Sequence, residues 1–199
     1  MLYFRVLVLA VLLVLPAQWA QGAPDNAEGF VRALTASALA ELQRDGVAVS
    51  ERRAAFDRLM ADGFDMAIIS GYVLGRHWRQ ASAGEQAAFS DAFGDHLVLI
   101  YARRMGAARN ADVQVLGSEP AGSFWRVNSA VQGSNGRPTT VDWFVRSADD
   151  GWRVVDVSID GVSMATTYRD QFSAAIRANG GDIAALTGKL LERNLAMSE

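Results

Sequence analysis

Few residues in this chain have the type and spacing to do chemistry. Gly161-Val162-Ser163-Met164-Ala165 stands between a strand-like and a helix-like stretch, and departs from the G-x-S-x-G nucleophile elbow only at its last place. A hydrolase of that kind needs a histidine base after the serine, whereas the two histidines, His77 and His96, both precede Ser163. A triad assembled in another order would require one of two helices to reach the serine. The simpler expectation is that Ser163 or a following threonine helps cap the next helix by accepting a hydrogen bond from a first-turn amide. His77, in Leu74-Gly75-Arg76-His77-Trp78-Arg79, and His96, beside Asp95, lack a carboxylate cluster or third ligand at metal-site spacing. A structural role is expected for both, with no metal and no cofactor. The chain has no cysteine, which excludes disulfides, a thiol nucleophile and thiolate metal ligands. There is no glycine-rich phosphate loop. A net charge of −3 and no basic stripe argue against nucleic acid as a partner. Arg52-Arg53 and Arg103-Arg104 read as solvated faces, able to meet a lipid phosphate or an acidic partner.

The elements that would position these residues follow from hydrophobic period. Four helices are expected first. One spans Asn26 to Arg44; a second is capped by Ser50; a third covers Asp65 to Arg79, where Gly71 and Gly75 permit close helix packing. The fourth opens on the capping box Ser82-Ala83-Gly84-Glu85, shows Phe89, Phe93, Leu97, Ile100, Tyr101 and Met105 on one broad face, and closes at Gly106. Four strands in meander order come next: Asp112 to Ser118, Ser123 to Gln132, Thr139 to Ala148 and Gly151 to Asp160. Turn residues separate them, including Gly133-Ser134-Asn135-Gly136. Odd positions are mostly apolar and even ones more polar, as in an antiparallel sheet covered on one side. Two helices end the chain. Tyr168, Phe172 and Ile176 form one stripe, Asn179-Gly180-Gly181 stops it, and Asp182 caps the last helix.

The first 22 residues have a different character. Arg5 is followed by an unbroken apolar run from Val6 to Leu15, then Pro16 and the small-residue pattern Ala20-Gln21-Gly22. This is the order of a cleavable secretory signal, too short for a spanning helix. Residues 1–22 are expected to be an export signal, and residues 23–199 a single mature domain working outside the cytoplasm.

With no catalytic set in view, the one-sided aromatic sheet and the wide apolar helix faces either fill one another or stop short and leave a pocket for an apolar ligand. Periodicity leaves both open. A resemblance bears on the choice. Phe64-Asp65, Leu74-Gly75-Arg76-His77-Trp78, Ala81-Ser82 to Gln86, Gly136-Arg137-Pro138, Val141-Asp142-Trp143 and Gly151-Trp152-Arg153-Val154-Val155-Asp156-Val157 occur in the order of a known family, and so does Asp160-Gly161-Val162-Ser163-Met164-Ala165-Thr166-Thr167-Tyr168-Arg169. Through these the chain resembles the MlaC/Ttg2D family of periplasmic phospholipid-binding, toluene-tolerance proteins, which includes the hopanoid-associated HpnM branch.

The resemblance implies an α+β fold in which a curved antiparallel four-stranded meander packs against several helices, a cone of the NTF2-like kind with a hydrophobic lipid cavity. It implies a periplasmic carrier that binds phospholipid acyl chains. The carrier would shuttle lipid between an outer-membrane lipoprotein complex and an inner-membrane ABC transporter complex with an MCE-domain subunit. Carried onto this sequence, the lipid-binding wall comprises Phe93, Leu97, Tyr101, Val141, Trp143, Val145, Val155, Val157, Val162, Tyr168, Phe172 and Ile176. Val155 stands where relatives can carry an aromatic, and hopanoid or another apolar lipid remains an alternative cargo. Two other classes stay in view: an enzyme on the same cone using Asp142 or Asp156 with Tyr101, and a structural adaptor with a filled core.

Overall fold

Most helices in this chain begin where a short polar side chain satisfies a free first-turn amide. In a computed structural model describing residues 26–104, 111–132 and 137–198, with 102–104 as backbone alone, Asn26 Oδ1 accepts from Gly29 N at 2.8 Å and starts α1 (Ala27–Gln43). Asp65 accepts from Ile68 N at 3.0 Å and starts α3 (Met66–Leu74). The Ser82/Glu85 capping box starts α4 (Ala83–Arg104): Glu85 accepts from Ser82 N at 2.8 Å, and Glu85 N donates to Ser82 Oγ at 3.3 Å. That box holds the Glu85 carboxyl below its ordinary value, chiefly through the Ser82 hydroxyl. Ser163 caps α5 (Met164–Ala178) and Asp182 caps α6 (Ile183–Ser198), as their positions in the sequence suggest.

Two helices depart from expectation. α2 (Val49–Gly63) has Ala48 at its cap position, so Ser50 lies inside the first turn and caps nothing. The corner before α2 is held instead by Arg52, which donates to the carbonyls of Leu42 and Arg44 at the end of α1, at 3.1 and 2.9 Å. Arg52 is thus a structural clamp rather than a solvated face. α3 stops at Leu74 and not at Arg79, because Gly75 takes a φ of +58° and the chain continues as a 3-10 turn, Gly75–His77. The expected stop at Gly106, the turn at residues 133–136, the side chains of residues 103 and 104 and the expected signal at 1–22 lie outside the described residues.

The sheet is an antiparallel meander of β1 (Asp112–Ala121), β2 (Phe124–Gln132), β3 (Pro138–Ala148), β4 (Gly151–Ile159) and β5 (Val162–Ser163). Five strands replace the four expected. The fifth is a two-residue hairpin return through Asp160 and Gly161, both at positive φ, and is too short to show a period. β4 carries a bulge: Phe144 opposes Asp156 but the next pair is Val145 with Val154. The extra residue lets Val154 and Val155 both turn inward, where strict alternation would have sent Val154 outward, and both are buried. A second bulge in β1 leaves Leu116 exposed.

Three apolar clusters result. Phe30 and Val31 of α1 seal one end of the sheet over Val115, Val127, Val145 and Val154. Leu42, Phe56 and Val98 join α1, α2 and α4. The largest joins α3, α4, α5 and α6 around Phe89, Phe93 and Phe172, whose ring centroids lie 5.2–5.6 Å apart. The helical and sheet halves are tied by Asp65, which accepts from Arg146 at 2.7 Å while its backbone N–H donates to Val154 O at 2.9 Å.

His96 belongs to this architecture and not to a catalytic set. It is buried against α6, 3.0 Å from Asn194 Oδ1, while Asn194 Nδ2 donates to Ala92 O at 2.9 Å. Burial is the main reason its imidazole sits below the ordinary value of 6.5; the charge of Arg193 acts in the same direction and the Asn194 contact opposes it. As pH falls below that value, the unfolded chain takes up a proton that the folded protein resists, so this contribution to stability is present above it and is lost on acidification. The urea midpoint is expected to drop between about pH 7.5 and about pH 5.5, and to drop less in His96→Gln. An identical pH dependence in the variant would remove His96 from the explanation.

Candidate functional site

Between the inner face of the sheet and the helices lies a cavity of about 280 Å³. Its walls follow from the periods of the elements. On the sheet, alternate positions Val113, Val131, Val141, Trp143, Val157 and Ile159 face it, together with Val155 at the bulge. From α4 come Phe93, Leu97, Val98 and Tyr101 at helical spacing, and from α5 Met164, Ala165 and Tyr168. α1 contributes Leu34, Ala38 and Leu39, α2 contributes Phe56, Leu59 and Met60, and Phe64, Ile69 and Ala111 complete the apolar set. Many of these large apolar side chains are only half-buried, although they sit mid-sheet or between helices. Their exposed surface is the cavity wall.

Two wall residues outside this apolar set are Thr35 and Asp156, and each is engaged elsewhere. Thr35 Oγ1 donates to Val31 O at 2.7 Å. Asp156 accepts from Val157 N, Ala165 N and Ser163 Oγ at 2.8, 2.9 and 2.6 Å, locking β4 to the start of α5. Trp143 Nε1 donates to Ser129 Oγ at 3.0 Å, and Ser129 Oγ donates to Val141 O at 2.9 Å, so the polar edge of this indole is satisfied within the sheet. The cavity therefore offers surface area and shape, and few polar anchors.

Eight of the twelve wall residues expected from the sequence line this space: Phe93, Leu97, Tyr101, Val141, Trp143, Val155, Val157 and Tyr168. Four are placed elsewhere. Val145 is fully buried beneath Phe30 and Val31, because the first half of α1 covers that end of the sheet. Phe172 and Ile176 follow Tyr168 on its stripe but lie one and two turns deeper, packed among α3, α4 and α6. Val162, on the short β5, is 56% exposed. The contributions of α1 and α2 and the Val113/Val131 pair were absent from the expected wall. Their signal was the apolar spacing of Leu34, Ala38 and Leu39 and of Phe56, Leu59 and Met60, which marks an inward face without saying what it meets.

The residues considered for catalysis are occupied as structural groups. Ser163 is the α5 cap and a donor to Asp156. Asp142, weighed as an acid inside a cavity, does not line it and instead accepts from Asn128 Nδ2 at 2.8 Å. His77 is buried at the 3-10 turn, 3.4 Å from Arg76 Nε.

The family model described as MlaC protein matches residues 31–192 of the chain. The chain belongs to the MlaC family. Among curated MlaC-like relatives, the toluene tolerance protein Ttg2D of Pseudomonas putida is 26% identical over 127 residues, which is 62% of this chain and 56% of that protein. The match thus spans just over half the length of the relative. A phospholipid-binding protein from Ralstonia solanacearum, solved in complex with a phospholipid, is 27% identical with a TM-score of 0.78, covering 87% of this chain and 99% of that one. The α+β architecture of this MlaC-family chain is thus shared along nearly the whole of the solved relative.

Proposed function

We propose that this chain is a lipid carrier: it takes the acyl chains of a phospholipid into the cavity between sheet and helices and moves the lipid through the periplasm. The observation that carries this reading is the cavity wall, which is built mostly from aliphatic and aromatic side chains and in which the polar atoms of Thr35 and Asp156 are already engaged. The phospholipid bound by the Ralstonia solanacearum relative supports the same cargo class.

The energetics fit transfer rather than storage. Burying ~30 methylenes at about 0.8 kcal/mol each is worth roughly 24 kcal/mol relative to water, which is why a lipid needs a carrier to cross an aqueous space. A bilayer buries the same methylenes, so an apolar pocket is close to isoenergetic with the membrane, and a modest bias from a docking partner sets the direction. Strong polar clamps would slow release. In this reading residues 1–22 direct export and are removed, and residues 23–199 work as one domain. Its exchange partners are an outer-membrane lipoprotein complex and an inner-membrane ABC transporter complex with an MCE-domain subunit, as the family resemblance implies.

Native mass spectrometry of protein recovered from a bacterial envelope, followed by lipid extraction and mass analysis, tests the reading. Stoichiometric phospholipid is expected. Protein that is lipid-free and also fails to take up labelled phospholipid would overturn it, and bound hopanoid without phospholipid would reassign the cargo.

A further inference from the structure

A second pocket, of about 220 Å³, opens beside α3 and α5 and shares no lining residue with the apolar cavity. Its character is the reverse. Arg76 and His77 reach it from the 3-10 turn, and Arg169, Ser173 and Arg177 reach it from α5, where a spacing of four puts them on one stripe. That stripe runs alongside Tyr168, Phe172 and Ile176, so α5 presents apolar groups inward and cations beside them. Among the described residues no carboxylate pairs with Arg76, Arg169 or Arg177, whereas Arg32, Arg126, Arg146 and Arg153 each have one, and Arg44 and Arg53 have two.

The site is built, not incidental. Arg169 donates to Tyr72 O at 3.1 Å, and its guanidinium carbon lies 4.9 Å from the centre of the Tyr72 ring. It can settle there because Gly75 has no side chain: a Cβ at that position would stand 3.1 Å from Arg169 Nη2. His77, more than nine-tenths buried, lines the same pocket, and its Nε2 accepts from Arg76 Nε.

We propose that Arg76, Arg169 and Arg177, with His77, form a binding site for a phosphate group, presented by a phospholipid head group at a membrane surface. A carboxylate is planar and offers its two oxygens in one plane, whereas the tetrahedral phosphate of a head group can be met by guanidinium forks from several sides, as three arginines reaching one pocket from two elements would do. Ile68 and Tyr72, one turn apart on α3 and 38% and 45% exposed, add an apolar and an aromatic group next to Arg169, as an interface between water and lipid favours. The site is separate from the acyl cavity, so its test does not depend on lipid carriage.

The full mature chain is titrated with sodium phosphate at constant ionic strength while the arginine Nε resonances are followed, and is then floated with phosphatidylglycerol vesicles. Arg177→Gln and Arg76→Gln alter exposed side chains and should fold; Arg169→Gln also removes the Tyr72 contact and is read alongside them. Each is expected to weaken phosphate binding roughly tenfold or more and to reduce flotation, with lipid in the acyl cavity unchanged. Equal phosphate response in wild type and variants would overturn the site. Phosphate binding without vesicle flotation would overturn the head-group assignment in favour of free phosphate. Saturable binding of a glutamate-rich peptide with no phosphate response would overturn it in favour of a protein partner.

Discussion

Val157→Glu is expected to fold and yet to carry less than about a tenth of the lipid bound by the wild-type chain. Val157 sits in the middle of β4, opposite Trp143, and is only half-buried because its outer atoms form cavity wall. In the lipid-free protein, water entering the cavity can solvate the new carboxylate. Acyl chains would strip that water away, at an effective cost of several kcal/mol for an ion or for protonating it, and about 1.4 kcal/mol is already tenfold in occupancy. Circular dichroism should remain that of the parent while native mass spectrometry shows the loss. A folded Val157→Glu with full occupancy would mean that the tails do not reach this wall.

Phe172→Ala should have the opposite profile. Its ring is 6% exposed and meets Phe89 and Phe93 edge-on, with Tyr168 tilted against it. Removing it is expected to cost about 3–5 kcal/mol, from lost transfer energy and the void left among four helices. That is a large share of the ~5–15 kcal/mol typical of a whole domain, so the urea midpoint should fall steeply. Lipid occupancy of the fraction that stays folded should be retained, since Phe172 stands behind Tyr168 and not on the wall. Lost lipid with an unchanged midpoint would move Phe172 into the cavity.

These two residues show how far periodicity reaches. Both Val157 and Phe172 are legible as inward-facing, one by alternation along a strand and the other by a spacing of four along a helix. What separates them is whether another segment meets them. For Phe172, α4 closes on the ring from residues about eighty positions earlier. Val157 packs on one side against the cluster under α1, and its other side stays open to the cavity between the sheet and the helices. That difference depends on the combined volumes of faces distant in sequence, which no local pattern encodes.

The bulge in β4 adds a second gap. One extra residue shifts the parity of the strand, so Val154 turns inward beside Val155 although strict alternation assigns it to the other face. The end of α3 is a third. Gly75 was visible as a helix-packing glycine, but its positive φ and the guanidinium resting on it depend on where α5 lies.

Local chemistry was within reach of the sequence alone. Asn26, Ser82 with Glu85, Ser163 and Asp182 cap their helices because each cap is a bond between groups three residues apart. The meander order of the first four strands follows from the apolar alternation and the turn residues between them. The family follows from motifs spread over the chain, and with it the α+β architecture. The tertiary structure decided which apolar faces pack and which stay parted as a cavity, and it alone brought Arg76 beside Arg169 and Arg177. Both outcomes turn on how closely helices and sheet approach, a balance struck between segments far apart in the chain.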